Sequence, residues 1–580
     1  MNTMAVISPS VFSDVSAQQI LNYAQQVNDD PCVPLTIAIV GEHSYAYIHQ
    51  LYQWWQRQQR PWHILLVDRQ YQQCLWRQEL PSDWQAAWQN ILPLPGMQRV
   101  DIVPYRFSVS MLFDVSEQAW SKLSARINVF VLDKPSLQDV RYAFRMSVAN
   151  TLVYSSSALS EDYLTLFKEQ QFTVVEQDTT RHILQLKSRR PETLPVSVKG
   201  RTAVVIGAGV AGAGVAFALA NRGWRVNVVD PILANPPDEE AYRYASGAVT
   251  PLITADDCHK ARLSRAGVLR AHARWQSIAK QAGIRHCGTL ELNRDKGHAK
   301  DLLDAVQQLN FPKEWVRLVS VEEASSMAGI PINQEGAFFP FAMQIPPVRL
   351  ARTLLQHENI HAIPSRLKAI RIESTGDFTL LTEDGELTAP VVILATAMNS
   401  RALLQDSGLG QYTLKSGQSI NALQRLDSLH ALAGEVMMVP ATALQGGPQC
   451  VVGGQGYYLP AQKGFCVMGS TYEHGNLAPQ VTQVGQQTIW QKIPLRLPVT
   501  LEELQAQNVL KGRACVRAVL QGRLPIIAEL PQHKNLWVTT AYASHGMTWS
   551  SLAGDIIGAS VEGEPLPIER DLLNAISFKL

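Results

Sequence analysis

The segment RTAVVIGAGVAGAGVAFALANRGWRVNVVD, residues 201–230, constrains the fold of this chain more than any other stretch. A β-rich run, Ala203–Ile206, leads into Gly207-x-Gly209-x-x-Gly212. A helical run with small residues (Ala213, Gly214, Ala216, Ala220) follows, and a second strand, Arg225–Val229, ends at Asp230. Each part has a mechanical reason. Gly207 permits the tight turn, Gly209 admits a pyrophosphate to the backbone, and Gly212 lets helix pack closely on strand. The helix N-terminus offers N–H donors and a partial positive charge to the same pyrophosphate. Asp230, twenty-three residues after Gly207, can accept from ribose hydroxyls, and an acid there disfavours a 2′-phosphate. A bare GxGxxG is weak, and its bland explanation is a glycine-tolerant turn in a core. With both strands, the helix and the terminal acid present, the segment reads as a dinucleotide site for FAD or NAD rather than NADP. The run VVILAT (391–396), which includes Ala395, lies about 190 residues downstream. By analogy with two-domain flavoproteins it is expected to rejoin the same sheet around a large inserted lobe, which favours FAD.

A chain of 580 residues is too long for one core, so two or more domains are expected. Apolar residues make up 46% and charged residues 17%, a soluble globular composition. The net charge of +1 provides no global field for nucleic acid, so any RNA contact must rest on local basic patches. The seven cysteines are odd in number and form no CxxC, which argues for reduced thiols over a disulfide frame or metal site. The N-terminus lacks a basic and then apolar leader, and no apolar run reaches the ~18 residues of a membrane span. A cytoplasmic protein without metal or membrane partner is expected. Its oligomeric state is open, with a monomer as the default.

Residues 1–190 read as a separate α/β unit. Strand-like runs fall at Thr36–Val40, Trp62–Val67, Arg99–Val103, Asn128–Leu132 and Thr151–Tyr154, with helical stretches between several of them. Phe172–Gln177 and His182–Leu186 read as a closing antiparallel hairpin. Residues 191–198 lie in KSRRPETLPVSVKGR, a Pro- and Arg-containing linker, and residues 199–570 form the second domain. Lys187, Arg189, Arg190, Lys199 and Arg201 are the one basic cluster to nominate for RNA, against a slightly stronger reading as a solvated connector.

After the nucleotide fingerprint, six further motifs stand in order: SGAVTPLI (246–253), KSGQS (415–419), GYYLP (456–460), VMGSTYEHG (467–475), GRACVRAVLQGRLPII (512–527) and TTAYASHGMTWSSLAGDIIGASVEGEPLPI (539–568). Together they resemble the D-amino-acid oxidase and glycine oxidase superfamily of FAD enzymes. Within it they are most similar to the C-terminal half of the bifunctional tRNA 5-methylaminomethyl-2-thiouridine biosynthesis family. The resemblance implies an α/β chain: a class I methyltransferase-like, Rossmann-type N-terminal domain, then a two-lobed glycine-oxidase-like domain with a Rossmann FAD lobe and a mixed-sheet substrate lobe. It implies FAD as cofactor and wobble-modified tRNA as partner. The implied reaction strips a carboxymethyl group from carboxymethylaminomethyl-uridine by hydride transfer from the carbon beside nitrogen. Arg517 is then the carboxylate clamp and Tyr457 the substrate-side tyrosine. Gly207, Gly209, Gly212, Asp230, Ser246, Gly247, Ala395, Ser544, His545, Gly546 and Met547 are the cofactor contacts. Plainer roles stay open: Arg517 as a structural ion-pair partner, Tyr457 as core, His545 as a loop residue rather than a base.

The chain also departs from the family pattern. Gly522 stands where the family has Asp, ASGAVTP runs on without the usual spacer, and a strand-end ATG is Ala395-Thr396-Ala397. In the N-terminal half, the glycine positions of the methyltransferase loop fall on His43, Tyr45 and Tyr47 after the strand TIAIVG. Side chains there would fill the room a methionine and ribose need. This argues against S-adenosylmethionine binding and leaves a degenerate methyltransferase fold as the leading reading, a rebuilt pocket as the other. Two further functions stay open: a free glycine- or sarcosine-type oxidase without RNA, and a flavin-binding scaffold without activity.

Overall fold

The structure, a computed structural model, describes residues 32–41, 45–58, 60–155, 158–177, 182–186, 200–234, 245–293, 302–413, 419–493 and 495–578. The chain divides into two compact units: residues 1–197 with 559–571, and residues 198–558 with 572–580.

The N-terminal unit is built on an eight-stranded sheet. Its strands are β1 (Leu35–Gly41), β2 (Trp62–Asp68), β3 (Gly96–Val103), β4 (Phe107–Phe113), β5 (Ile127–Asp133), β6 (Ser147–Ser155), β7 (Phe172–Gln177) and β8 (His182–Leu186), in the spatial order β3-β4-β2-β1-β5-β6-β8-β7. The run from β4 to β6 is parallel, and both ends are antiparallel. β1 shows why so little polar sequence is tolerated in the middle. Ile37 and Ile39 join the core on one face with Trp62, Ile64 and Trp76, while Ala38 and Val40 join the opposite core with Phe130 and Phe144. A strand buried on both faces reads as a continuous apolar run, as a parallel sheet with two covered faces requires. The expected closing hairpin is present as β7 and β8. One element departs from expectation: FSVSMLF, not foreseen as a strand, is the fully buried β4, and β3 hangs outside it as the edge. The tight turn between them uses Tyr105 at φ +58°, so the sequence shows no glycine or asparagine to mark a hairpin. Within this unit Arg99 Nη1 pairs with Glu564 at 3.0 Å, both side chains buried.

The larger unit has two main sheets. One has six strands in the order Ile360–Ile363, Arg225–Val229, Thr202–Ile206, Val391–Leu394, His533–Thr540, Ile526–Leu530. All neighbours but the last pair run parallel. VVIL lies in register beside the fingerprint strand, Val391 against Ala203, so the downstream strand does return to the nucleotide sheet. The second is a nine-stranded mixed sheet between residues 289 and 519 whose long strand His430–Pro440 pairs with both Phe465–Gly469 and Lys511–Val519. The two-lobed architecture matches the expectation.

Candidate active site

The nucleotide fingerprint is assembled as its glycine spacing requires. Gly207 has φ +110°, and a Cβ there would lie 2.5 Å from the Ala395 carbonyl oxygen. A Cβ on Gly212 would lie 1.9 Å from the Gly207 carbonyl oxygen, whereas one on Gly209 would meet nothing within 4 Å. Two glycines are therefore jammed against protein and the middle one faces open space, at the start of the helix Val210–Ala220. That is a cradle that suits a pyrophosphate, and FAD fits it. Asp230 has a second task that sequence reasoning missed. Its carboxylate accepts from the Ala208 N–H at 2.8 Å and the Ile232 N–H at 2.9 Å. The acid fastens the glycine turn while keeping lone pairs for a ribose.

Motifs far apart in sequence meet around this lobe. The Gln344 amide donates to Ser246 Oγ and to the Pro460 carbonyl, both at 2.9 Å. This ties SGAVTPLI to GYYLP. Gly247 has the Met547 side chain over it, so that a Cβ would come 2.6 Å from the terminal methyl. The Ala543 N–H donates to the Ala518 carbonyl at 3.1 Å, joining the last motif to the arginine strand. Thr540 Oγ1 donates to the Ala397 carbonyl at 2.8 Å. Ser544 is an exposed residue of the turn before the helix Gly546–Glu562, and the His545 ring lies 4.7 Å from Trp549. Burial, with Lys260 nearby, pushes His545 down to about 3. Its imidazole is therefore neutral at pH 7.

Tyr457 and Arg517, the two residues expected on the substrate side, share one face of the mixed sheet. Tyr457 pairs in register with Gly469, Gly469 with Val436, and Arg517 with Leu432 on the other side of the long strand. Room on this face comes from glycine. The Arg517 guanidinium lies where a Cβ on Gly434 would be, 2.1 Å from its Nη1, and the Tyr457 ring crosses Gly469 in the same way at 2.5 Å. Arg517 Nη2 donates to Ser470 Oγ at 3.3 Å. Its Nη1 is buried and has no hydrogen-bond partner among the described residues. Leaving such a donor unmade costs about 1–3 kcal/mol, more for a charged group, so an acceptor placed at this nitrogen would be stabilising. Burial pushes the Tyr457 hydroxyl well above the ordinary phenol range despite the pull of Arg517, so it stays protonated. Gly434, Gly469, Ser470, Tyr472 and Lys492, which adjoin these two side chains, are not among the residues expected from the sequence. Glycines inside strands were the available signal for the first two, and Lys492 carried none.

The departures also find places. Gly522 has φ +80° and open space beside it, a left-handed turn position that an Asp would occupy under strain. Ala397 sits at φ +48°, where the lost glycine would save about 1–2 kcal/mol. KSGQS and most of the basic linker lie outside the described residues, apart from the ends of each. Arg201 of that cluster lies over the Trp224 ring at 5.6 Å.

In the N-terminal unit, His43 lies outside the described residues. Tyr45 and Tyr47 open the helix Tyr45–Trp55 and are each only 3% exposed. The Tyr45 hydroxyl donates to Asp68 Oδ2 at 2.8 Å, the Gln70 N–H donates to Asp68 Oδ1 at 2.9 Å, and the Trp88 and Trp76 rings stand 5.6 and 6.0 Å from the Tyr45 ring. The acid at the end of β2 is thus engaged by protein on both oxygens. Among the described residues no group of three or more His, Cys, Asp or Glu could hold a metal, and no helix is long and apolar enough to cross a membrane.

Comparison with known proteins agrees with the fold and the fingerprint. The chain is 28% identical over 526 residues to the tRNA 5-methylaminomethyl-2-thiouridine biosynthesis bifunctional protein MnmC of Burkholderia cenocepacia, covering 84% of this chain and 78% of that one. It is 32% identical over 411 residues to the protein of the same name from Cupriavidus metallidurans, covering 65% and 58%. In fold it resembles glycine oxidase from Geobacillus kaustophilus, with a TM-score of 0.52, 19% identity, and coverage of 65% of this chain and 98% of that one. Iminodiacetate oxidase from Chelativorans gives a TM-score of 0.50 at 22% identity, again covering 65% and 98%. The profile of the family described as FAD dependent oxidoreductase matches residues 202–559, the span that holds both the glycine cradle and the Arg517 face, and the chain belongs to that family.

Proposed function

We propose that this protein removes the carboxymethyl group from carboxymethylaminomethyl-(2-thio)uridine at the tRNA wobble position: the CH–NH bond is oxidised by two electrons to an imine, and water hydrolyses it to the aminomethyl form and glyoxylate. The observation that carries the reading is Arg517, a partly buried side chain whose buried Nη1 lacks a hydrogen-bond partner among the described residues, on a face cleared by Gly434 and Gly469. A carboxymethylamine brings the carboxylate that this nitrogen lacks, and a planar fork suits a carboxylate geometrically. The nearby protonated Tyr457 can donate to the same group. A fixed cation at the carboxylate end also disfavours a second positive charge, which helps keep the substrate amine neutral. Gly207, Gly209, Asp230 and the N-terminus of the helix Val210–Ala220 would hold FAD, which when bound supplies the two-electron acceptor for a carbon beside nitrogen. The modified nucleoside is the part supported by the names of the MnmC relatives.

Anaerobic mixing tests this. The flavin absorbance should bleach with tRNA carrying the carboxymethylaminomethyl group and stay unchanged with glycine or sarcosine. Bleaching by the free amines alone would make the protein a small-amine oxidase. Flavin that none of the three bleaches would make it a scaffold, and protein without flavin would end the reading.

We infer separately that the N-terminal unit does not use S-adenosylmethionine. The positions that family members leave open with glycine are held here by the buried Tyr45 and Tyr47, and Asp68 already accepts from Tyr45 and from a backbone N–H. The sulfonium nucleoside does not fit that arrangement. Calorimetric titration of the whole protein with S-adenosylmethionine should give no binding heat; a micromolar dissociation constant would overturn the inference.

A further inference from the structure

Eleven large apolar side chains stand exposed among the described residues, and four of them fall between residues 472 and 484: Tyr472, Leu477, Val481 and Val484. Such clustering beside a site, rather than scatter, marks a surface that meets a partner. The segment is held in place by its own hydrogen bonds. Glu435 accepts from the Thr482 N–H at 2.8 Å and from Thr482 Oγ1 at 3.0 Å, and Asn476 bonds Ala478 N and Glu473, both at 2.9 Å.

Tyr472 is the residue that connects this surface to the active site. The residue is 54% exposed, yet Arg517 Cζ and Lys492 Nζ lie over its ring, 5.2 and 5.3 Å from the centroid. Both cations are moored to Ser470, Lys492 through the backbone carbonyl at 2.8 Å and Arg517 through Oγ at 3.3 Å. Nearby the His430 and His474 rings stack at 5.6 Å. The local acids Glu435 and Glu473 are engaged by Thr482 and Asn476. A half-exposed aromatic ring with two fixed cations lying over it has the composition that single-stranded RNA uses: an aromatic surface for a base and positive charge for the phosphates. A free amino acid has no group to place there.

We propose that Tyr472 is a stacking platform for a nucleobase next to the reacting nucleotide, with Lys492 meeting the adjoining phosphate. The proposal rests on the tRNA reading above and names the residue that would distinguish an RNA-borne amine from a free one. Its test measures binding alone, so that it can fail independently of the oxidation chemistry. The probe is an unmodified tRNA anticodon stem-loop titrated with the whole protein by fluorescence anisotropy. Tyr472→Ala should weaken binding by about tenfold or more, Tyr472→Phe should restore it, and flavin absorbance in both should equal wild type. Because the ring is uncharged, Tyr472→Ala should leave the salt dependence of binding unchanged, while Lys492→Gln should make it shallower by about one counterion. The proposal is overturned if the wild type does not bind the stem-loop, or if Tyr472→Ala binds it as well as wild type. It is also overturned if sedimentation shows a Tyr472-dependent dimer in place of RNA binding, which would assign the surface to a second copy of the chain.

Discussion

Arg517→Ala should leave the protein yellow and almost inactive. Arg517 lies on the mixed sheet, paired in register with Leu432, and its guanidinium neighbours, Ser470 Oγ and the Tyr472 ring, follow the strand Phe465–Gly469 of that same sheet. Flavin content is therefore expected to stay at the wild-type level. The substrate carboxylate would lose a charge-matched partner whose Nη1 is buried, a change that costs about 2–5 kcal/mol. At about 1.4 kcal/mol per decade this lowers kcat/KM by roughly 30- to several thousand-fold. Arg517→Lys keeps the charge but loses the planar fork, so an intermediate loss is expected. Flavin absorbance measured beside steady-state rates decides the matter: equal loss of flavin and activity in Arg517→Ala would make the residue structural.

Gly212→Val should give the opposite phenotype, a protein without flavin. Even a single Cβ would stand 1.9 Å from the Gly207 carbonyl oxygen and 3.2 Å from a Val205 methyl. Backbone, not a flexible side chain, has to move, so the helix must leave the strand and the glycine turn must open. Overpacking of this kind costs about 1–3 kcal/mol or more. The comparison with Gly209→Ala separates packing from binding. A Cβ on Gly209 meets nothing within 4 Å, so that variant should unfold within about 1 kcal/mol of wild type, yet hold flavin more weakly because the methyl enters the pyrophosphate's space. Thermal unfolding together with the released flavin measures both. If Gly212→Val kept its flavin, the close helix–strand approach would not be what shapes the cradle.

The nucleotide lobe was legible because its signals are local. The turn, the helix and the acid all fall within thirty residues, and each has its own steric or electrostatic requirement. The strand at Val391–Leu394 could be placed by its apolar run and the expectation of a returning sheet, and it does pair with Thr202–Ile206. β4 was not legible, since its turn is made by Tyr105 in a left-handed conformation that its sequence does not advertise. The substrate side was legible only in part. Arg517 and Tyr457 came from motif resemblance, whereas the glycines that clear space for them lie on neighbouring strands, 83 residues before Arg517 for Gly434 and 12 after Tyr457 for Gly469.

The same division holds at the N-terminus. From sequence alone, tyrosines at two glycine positions already spoke against an open loop, because a side chain occupies volume wherever the backbone runs. That the Tyr45 hydroxyl would reach Asp68, with Trp76 and Trp88 around its ring, depended on how β2 and the following short helices pack. Sequence by itself determined the dinucleotide cradle, the two α/β patterns and the residues able to carry charge, since these follow from local sterics and periodicity. Tertiary structure alone decided which charges stay unpaired. Arg517 Nη1 has no hydrogen-bond partner among the described residues, whereas both Asp68 oxygens accept from protein, because partner availability depends on strand pairing and packing between residues distant in the chain.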